Sequence, residues 1–191
     1  MSCFDIRKLT FSPDQPYRYE IMNESGETVL TAERDSPWLP NPTRRVTFRD
    51  PSGEVVATVE PPEVLAPWRE QVIYGLCFPG EESPRYTVEE TFPLVDRVLL
   101  RVPHYHMAWG DKAYVVRGSR YGLHFYELFD ENDDLIGEIV RPLSGPNYSI
   151  ACQAPALTQA PLILAMLVII IDMVMADDEA GGKRDKSKSR E

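Results

Sequence analysis

The amino-acid sequence predicts a mainly β chain: a closed antiparallel barrel with a hydrophobic C-terminal helix buried along its axis. Three observations predict it. Through the first 150 residues, apolar side chains recur at every second position in short runs, the period of a strand with one face in a core. Turn residues separate these runs, and most of the 17 prolines and 11 glycines fall there, where strands must stop. Finally, residues 161–176 are apolar except for Asp172. A helix apolar on every face has to be covered on every face, and strands closed around it give that cover while removing exposed sheet edges.

The elements follow in order. In "YRYEI", Tyr17, Tyr19 and Ile21 alternate with Arg18 and Glu20. "VTF" places Val46 and Phe48 on one face, and "EVVATVE" sets Val55, Ala57 and Val59 against their neighbours. "RVLLRV" at 97–102, "KAYVVR" at 112–117, "HFYELF" at 124–129 and "NYSIAC" at 147–152 also suit strands, by alternation and by β-branched and aromatic content. The count is about ten. The expected core includes Tyr19, Ile21, Phe48, Val56, Leu99, Val115, Leu128, Ile136, Ile150, Leu164, Leu167, Val168 and Ile171.

Three hairpins share one pattern: "IMNESGETVL", "FRDPSGEVVA" and "LFDENDDLIG". In each, a large apolar residue precedes Asn or Asp by two positions. A short polar turn follows, then Glu27, Glu54 or Asp134. Asx side chains fold back on the turn backbone, and Gly26 and Gly53 supply positive φ.

The apolar segment 161–176 is 16 residues long, or roughly 24 Å as a helix. A membrane span needs about 20 residues for about 30 Å, and Asp172 at mid-bilayer would cost about 2.5–3.5 kcal/mol. The sequence therefore favours a buried helix over a stable membrane span. Asp172 is expected where the helix leaves the barrel, free to find water or backbone donors. One domain is expected over 1–178, with a disordered charged tail at 179–191.

Composition excludes some functions. Residues 181–191 hold five of the 20 basic and two of the 30 acidic residues, so the tail carries +3 and the remainder −13. A body that acidic repels nucleic-acid and lipid phosphates at long range, which counts against general DNA or RNA binding but not against a small local basic pocket. Cys3, Cys77 and Cys152 are far apart without zinc spacing, which reads as reduced thiols in a cytoplasmic protein. The N-terminus has no apolar signal segment.

The order of these features resembles the tubby C-terminal-like superfamily, which includes tubby domains, phospholipid scramblases and LURP-one-related proteins. The carrying segments are "YEIMNESGETV", "VTFRDPSGEVVATV", "YELFDENDDLIGEIVRP", "YSIAC" and "LILAMLVIIIDMVMAD". The resemblance is to the small LURP-one-related type and implies about 12 strands around the helix. It implies a non-catalytic binding or scaffold module meeting phospholipid head groups or a protein partner. The alternative is a membrane-attached, scramblase-like or tail-anchored protein using helix 161–176 in the bilayer.

Candidate chemistry is sparse. Asp130, Asn132 and Asp134 have the spacing of the first three ligands of a calcium loop. Leu135 and Arg141, however, stand where that loop needs Gly and Glu, so a solvated acidic turn is the simpler reading. His104 and His106 share a strand face, a geometry that can hold a metal, with His124 as a possible third ligand; satisfied surface histidines are simpler. Cys77 and Cys152 lie in apolar contexts where a thiol is inert. No catalytic motif is present, and no enzyme activity or cofactor is expected. Tubby domains bind phosphoinositides through a basic pocket. The basic residues here that would form an anion site are Arg44 and Arg45, or Lys112 with Arg117 and Arg120; strand-edge cations that keep a barrel soluble are the alternative.

Overall fold

The structure is a computed structural model. Its described residues are 2–9, 15–35, 44–60, 71–93, 95, 103–109, 112–118, 125–141, 147–153 and 161–188, without the side chains of 2, 71, 109 and 175–188. They form twelve strands and one long helix: β1 (Ser2–Lys8), β2 (Tyr17–Met22), β3 (Thr28–Arg34), β4 (Val46–Arg49), β5 (Val55–Glu60), β6 (Gln71–Cys77), β7 (Tyr86–Thr91), β8 (His104–Trp109), β9 (Lys112–Gly118), β10 (Phe125–Phe129), β11 (Leu135–Val140), β12 (Tyr148–Cys152) and α1 (Pro161–Lys188). Each strand pairs antiparallel with its neighbours in sequence, and β1 pairs with β12 to close the barrel.

Eight strands leave an interior that side chains fill; twelve leave a lumen. Here α1 fills it. Every residue from Ile163 to Met173 is buried, Asp172 included. At 3.6 residues per turn those positions point in all directions, which is why the helix has no polar face. The strands supply the matching shell through Ile6, Tyr19, Ile21, Phe48, Val59, Leu76, Val88, Met107, Leu128, Ile139 and Ile150, all buried. Asp172 lies near the end of the buried stretch of the helix and beside Tyr148, the first residue of β12. The helix therefore runs back down the barrel against the direction of β12.

The three similar hairpins are the same turn. Asn23 Oδ1 accepts from the backbone N–H groups of Ser25 (3.1 Å) and Glu27 (2.9 Å). Asp50 Oδ1 does so from Ser52 and Glu54, both at 2.9 Å, and Asp130 Oδ1 from Asn132 (2.9 Å) and Asp134 (3.0 Å). Each turn has one residue at positive φ: Gly26 (79°), Gly53 (88°) and, in the copy lacking glycine, Asp133 (66°). Asp tolerates that region better than most residues. Each turn also follows a register shift, at Ile21/Met22, Phe48/Arg49 and Leu128/Phe129.

Several expectations change. Val56, Val115 and Ile136 are only partly buried, because Ala57, Val59 and Val116 take the inward positions of β5 and β9 and Gly137 and Ile139 those of β11. Leu99 and the strand expected at 97–102 lie outside the described residues. The closing strand β1 escaped the reading, since its inward series Phe4, Ile6, Lys8 ends on a cation. The helix runs to Lys188, beyond the apolar stretch.

Gly137 faces inward where β11 meets β12. A Cβ there would lie 2.6 Å from the Ala151 carbonyl oxygen, a backbone atom that cannot swing aside. Gly137→Ala is expected to cost about 1–3 kcal/mol, read as a lower urea midpoint with an unchanged slope.

Candidate functional site

The barrel has two unlike ends. Tight turns close one; at the other, where α1 leaves, inward-facing positions turn polar. β1, β3 and β7 place Lys8, Arg34 and Glu90 there, all buried. Tyr17, Tyr19, Tyr74, Tyr105, Tyr126 and Tyr148 surround them. Tyrosine suits such a layer because its ring packs on the helix while its hydroxyl reaches polar partners.

Asp172 is the centre of this layer. Lys8 Nζ donates to its Oδ2 at 2.8 Å, and the Tyr19 hydroxyl donates to the same oxygen at 2.7 Å. The Tyr148 hydroxyl donates to Oδ1 at 3.3 Å, and an Arg34 amino group lies 3.8 Å from Oδ2. Arg34 Nε also donates to the Tyr19 hydroxyl at 3.1 Å. The Tyr17 ring lies between the two cations, with Lys8 Nζ 3.9 Å and the Arg34 guanidinium carbon 4.6 Å from its centroid. Four strands thus converge on one carboxylate of the helix.

Asp172 was expected to meet water or backbone donors. Instead it meets two cations and two hydroxyls inside the barrel, because at this depth only side chains can reach it. Burial pushes its carboxyl upward. The Lys8 charge and hydrogen bond, the Tyr19 hydrogen bond and Arg34 outweigh that and hold it below the ordinary carboxylate value. Burial lowers the Lys8 ammonium, Asp172 opposes this, and the charges of Arg34 and Arg141 add to the lowering. Burial, then the Asp172 charge, raises the Tyr19 and Tyr148 hydroxyls, so both stay protonated donors.

A second chain occupies the same end. Arg44 donates to the Tyr74 hydroxyl at 2.7 Å, and that hydroxyl donates to Glu90 at 3.3 Å. Arg141 stands 5.6 Å from the Tyr148 ring centroid. Arg44 and Arg141 are half-buried, so this end offers cations both inside its mouth and at its lip.

The sequence candidates do not converge. Arg44 belongs to the mouth, while Arg45 lies outside, paired with Glu60 at 2.8 Å. Lys112 sits near the tight-turn end beside Asp130 and Glu131. Arg117 lies on the outer face of β9, 2.8 Å from Asp133 and over the Phe129 ring. Arg120 and His124 lie outside the described residues. Asp130 spends Oδ1 on two turn amides, as Asp50 and Asn23 do. His106 lies opposite Glu89, and His104 opposite Thr91. Among the described residues, no group of three or more His, Cys, Asp or Glu side chains is arranged to hold a metal ion. The three cysteines are free thiols. Among the same residues, no helix is long and apolar enough to cross a membrane.

Lys8, Arg34 and Asp172 were missed as a group. The available signal was parity: Lys8 continues Phe4 and Ile6, Arg34 continues Leu30 and Ala32, and the apolar helix carries one acid to answer them.

No protein-family model and no curated protein matches the chain. The X-ray structure of a protein from Arabidopsis thaliana is similar to it, with a TM-score of 0.54 and 15% identity, covering 90% of this chain and 91% of that one. At that identity the likeness is one of fold, and it spans nearly the whole of both chains.

Proposed function

We propose that the chain is a non-catalytic binding module of the LURP-one-related, tubby-like kind, acting in the cytoplasm, whose helix-exit mouth meets anionic phospholipid head groups. The observation that carries this reading is the cationic lining of that mouth: Lys8 and Arg34 inside, Arg44 and Arg141 at the lip, against Asp172 and Glu90. Those four basic and two acidic side chains, counted among the described residues, stand in a chain of net charge −10. A local basic mouth can attract phosphate within a Debye length even on an acidic body. The non-catalytic part rests on Asp172, the central carboxylate. It is buried and engaged by Lys8 and Tyr19, which suits holding a helix better than exchanging protons.

The test is cosedimentation with phosphatidylcholine vesicles, with and without phosphatidylinositol bisphosphate. Pelleting with the anionic vesicles alone is expected. Arg44→Gln and Arg141→Gln should each weaken it about fivefold, from about 1 kcal/mol per charge near an anionic surface. Equal pelleting of the double variant, or none by the native chain, would remove this reading.

A further inference from the structure

We propose that the groove between β5 and β6 receives an extended, lysine- or arginine-rich segment of a partner protein, which adds as a strand along the open part of β5. This goes beyond the head-group reading and uses another face of the barrel.

The barrel is least complete here. β5 and β6 pair over only three positions, Thr58 with Cys77, Val59 with Leu76 and Glu60 with Gly75. The first half of β5, Val55 to Ala57, pairs with β4 on one side. Among the described residues it has no strand on the other. After Cys77 the chain leaves the sheet, turning at Phe78 with Gly80 at φ 82° before returning as β7. The two strands diverge around a groove of about 630 Å³. An open strand edge offers backbone donors and acceptors in the order an extended peptide needs.

The lining selects the peptide. Among the described residues, Val55, Ala57 and Phe78 give an apolar floor, with the Arg85 guanidinium over the Phe78 ring, while Glu54, Glu60, Glu81 and Glu82 stand around it. Glu60 is paired with Arg45 and Glu81 with Arg85. Glu54 and Glu82 are exposed on opposite lips. The Cys77 thiol reports the same environment, since burial and then the charges of Glu60 and Glu81 push it up. A peptide with alternating basic and apolar residues would place cations against the carboxylates and apolar groups on the floor.

The probes are three fluorescein-labelled decapeptides: alternating Lys–Val, alternating Glu–Val, and Lys–Val N-methylated at alternate amides. Fluorescence anisotropy on the full chain should show binding of the first alone, weakening as salt rises. Amide shifts should centre on Val55, Val56 and Ala57. The exposed double variant Glu54→Lys, Glu82→Lys, with its fold checked by circular dichroism, should bind at least about tenfold more weakly, about 1.4 kcal/mol. Absence of binding, or binding untouched by the double variant, would overturn the groove. Equal binding of the N-methylated peptide would overturn strand addition. Neither result depends on the vesicle assay, because Glu54 and Glu82 lie away from the helix-exit mouth.

Discussion

Asp172→Ala should destabilise the protein by about 3–5 kcal/mol, the usual result of breaking a buried ion pair from one side. The loss exceeds that of a surface pair, typically 0–1 kcal/mol, because Lys8 and Arg34 remain in the barrel with their shared acceptor gone. Two hydroxyls, those of Tyr19 and Tyr148, lose the same acceptor. Urea unfolding followed by tryptophan fluorescence measures this. A second variant separates charge from packing. Asp172→Leu with Lys8→Met replaces the closest pair by apolar groups of similar size, and should recover much of the loss. The pH dependence has a definite sign. The folded-state carboxyl of Asp172 is depressed, so its contribution is present above the unfolded carboxylate value and is lost as pH falls through the folded one. The depressed folded-state Lys8 ammonium acts differently: stability rises with pH until the unfolded lysine also loses its proton. Asp172→Asn should remove the acid-side slope of this group. An unchanged acid transition in that variant would mean that Asp172 is not what the barrel loses at low pH.

The cluster also explains which parts of the molecule could be read in the sequence. Strand periodicity is local, so most of β2 to β5 and β9 to β12 is visible in windows of six residues. The three Asx turns are equally local, and even Asp133 in the glycine position follows from the pattern of its siblings. The buried helix was legible because an apolar surface on all sides has few solutions in water. The partners of Asp172 were not. Lys8 is 164 residues away and Tyr19 is 153, and their meeting depends on strand order, register and the depth of the helix together. The same limit separated the basic candidates. Arg44 and Arg45 are adjacent in sequence, just ahead of β4, and the alternation of that strand carried back to them puts them on opposite sides, so one entered the mouth and the other paired outside with Glu60. The opening beside β5 was hidden for a related reason. A missing ladder is a property of two strands, and the alternation of either one looks complete.

Deleting residues 161–191 should abolish cooperative folding, the largest effect of any change considered. The segment removes the side chains from Ile163 to Met173, every one buried against the strands. A single buried Leu or Ile truncated to Ala costs about 2–5 kcal/mol, and a whole domain has about 5–15 kcal/mol in hand. Losing the entire axis of the barrel exceeds that many times over. The strands cannot collapse to fill the space, because a twelve-stranded ladder closed on itself has a fixed circumference. They would have to open, exposing the inner faces of Tyr19, Phe48, Leu76 and Leu128 together with free edges that aggregate. The truncated chain should therefore show no sharp near-ultraviolet circular dichroism, poor amide dispersion and a gradual response to urea. A graded control is Leu167→Ala, which should lower the urea midpoint yet leave a single sharp transition. The outcome that would sink this account is a truncated chain that stays monomeric and unfolds in one cooperative step. The strands would then be self-sufficient, and residues 161–176 would be free to serve elsewhere, as the bilayer reading of the same segment requires.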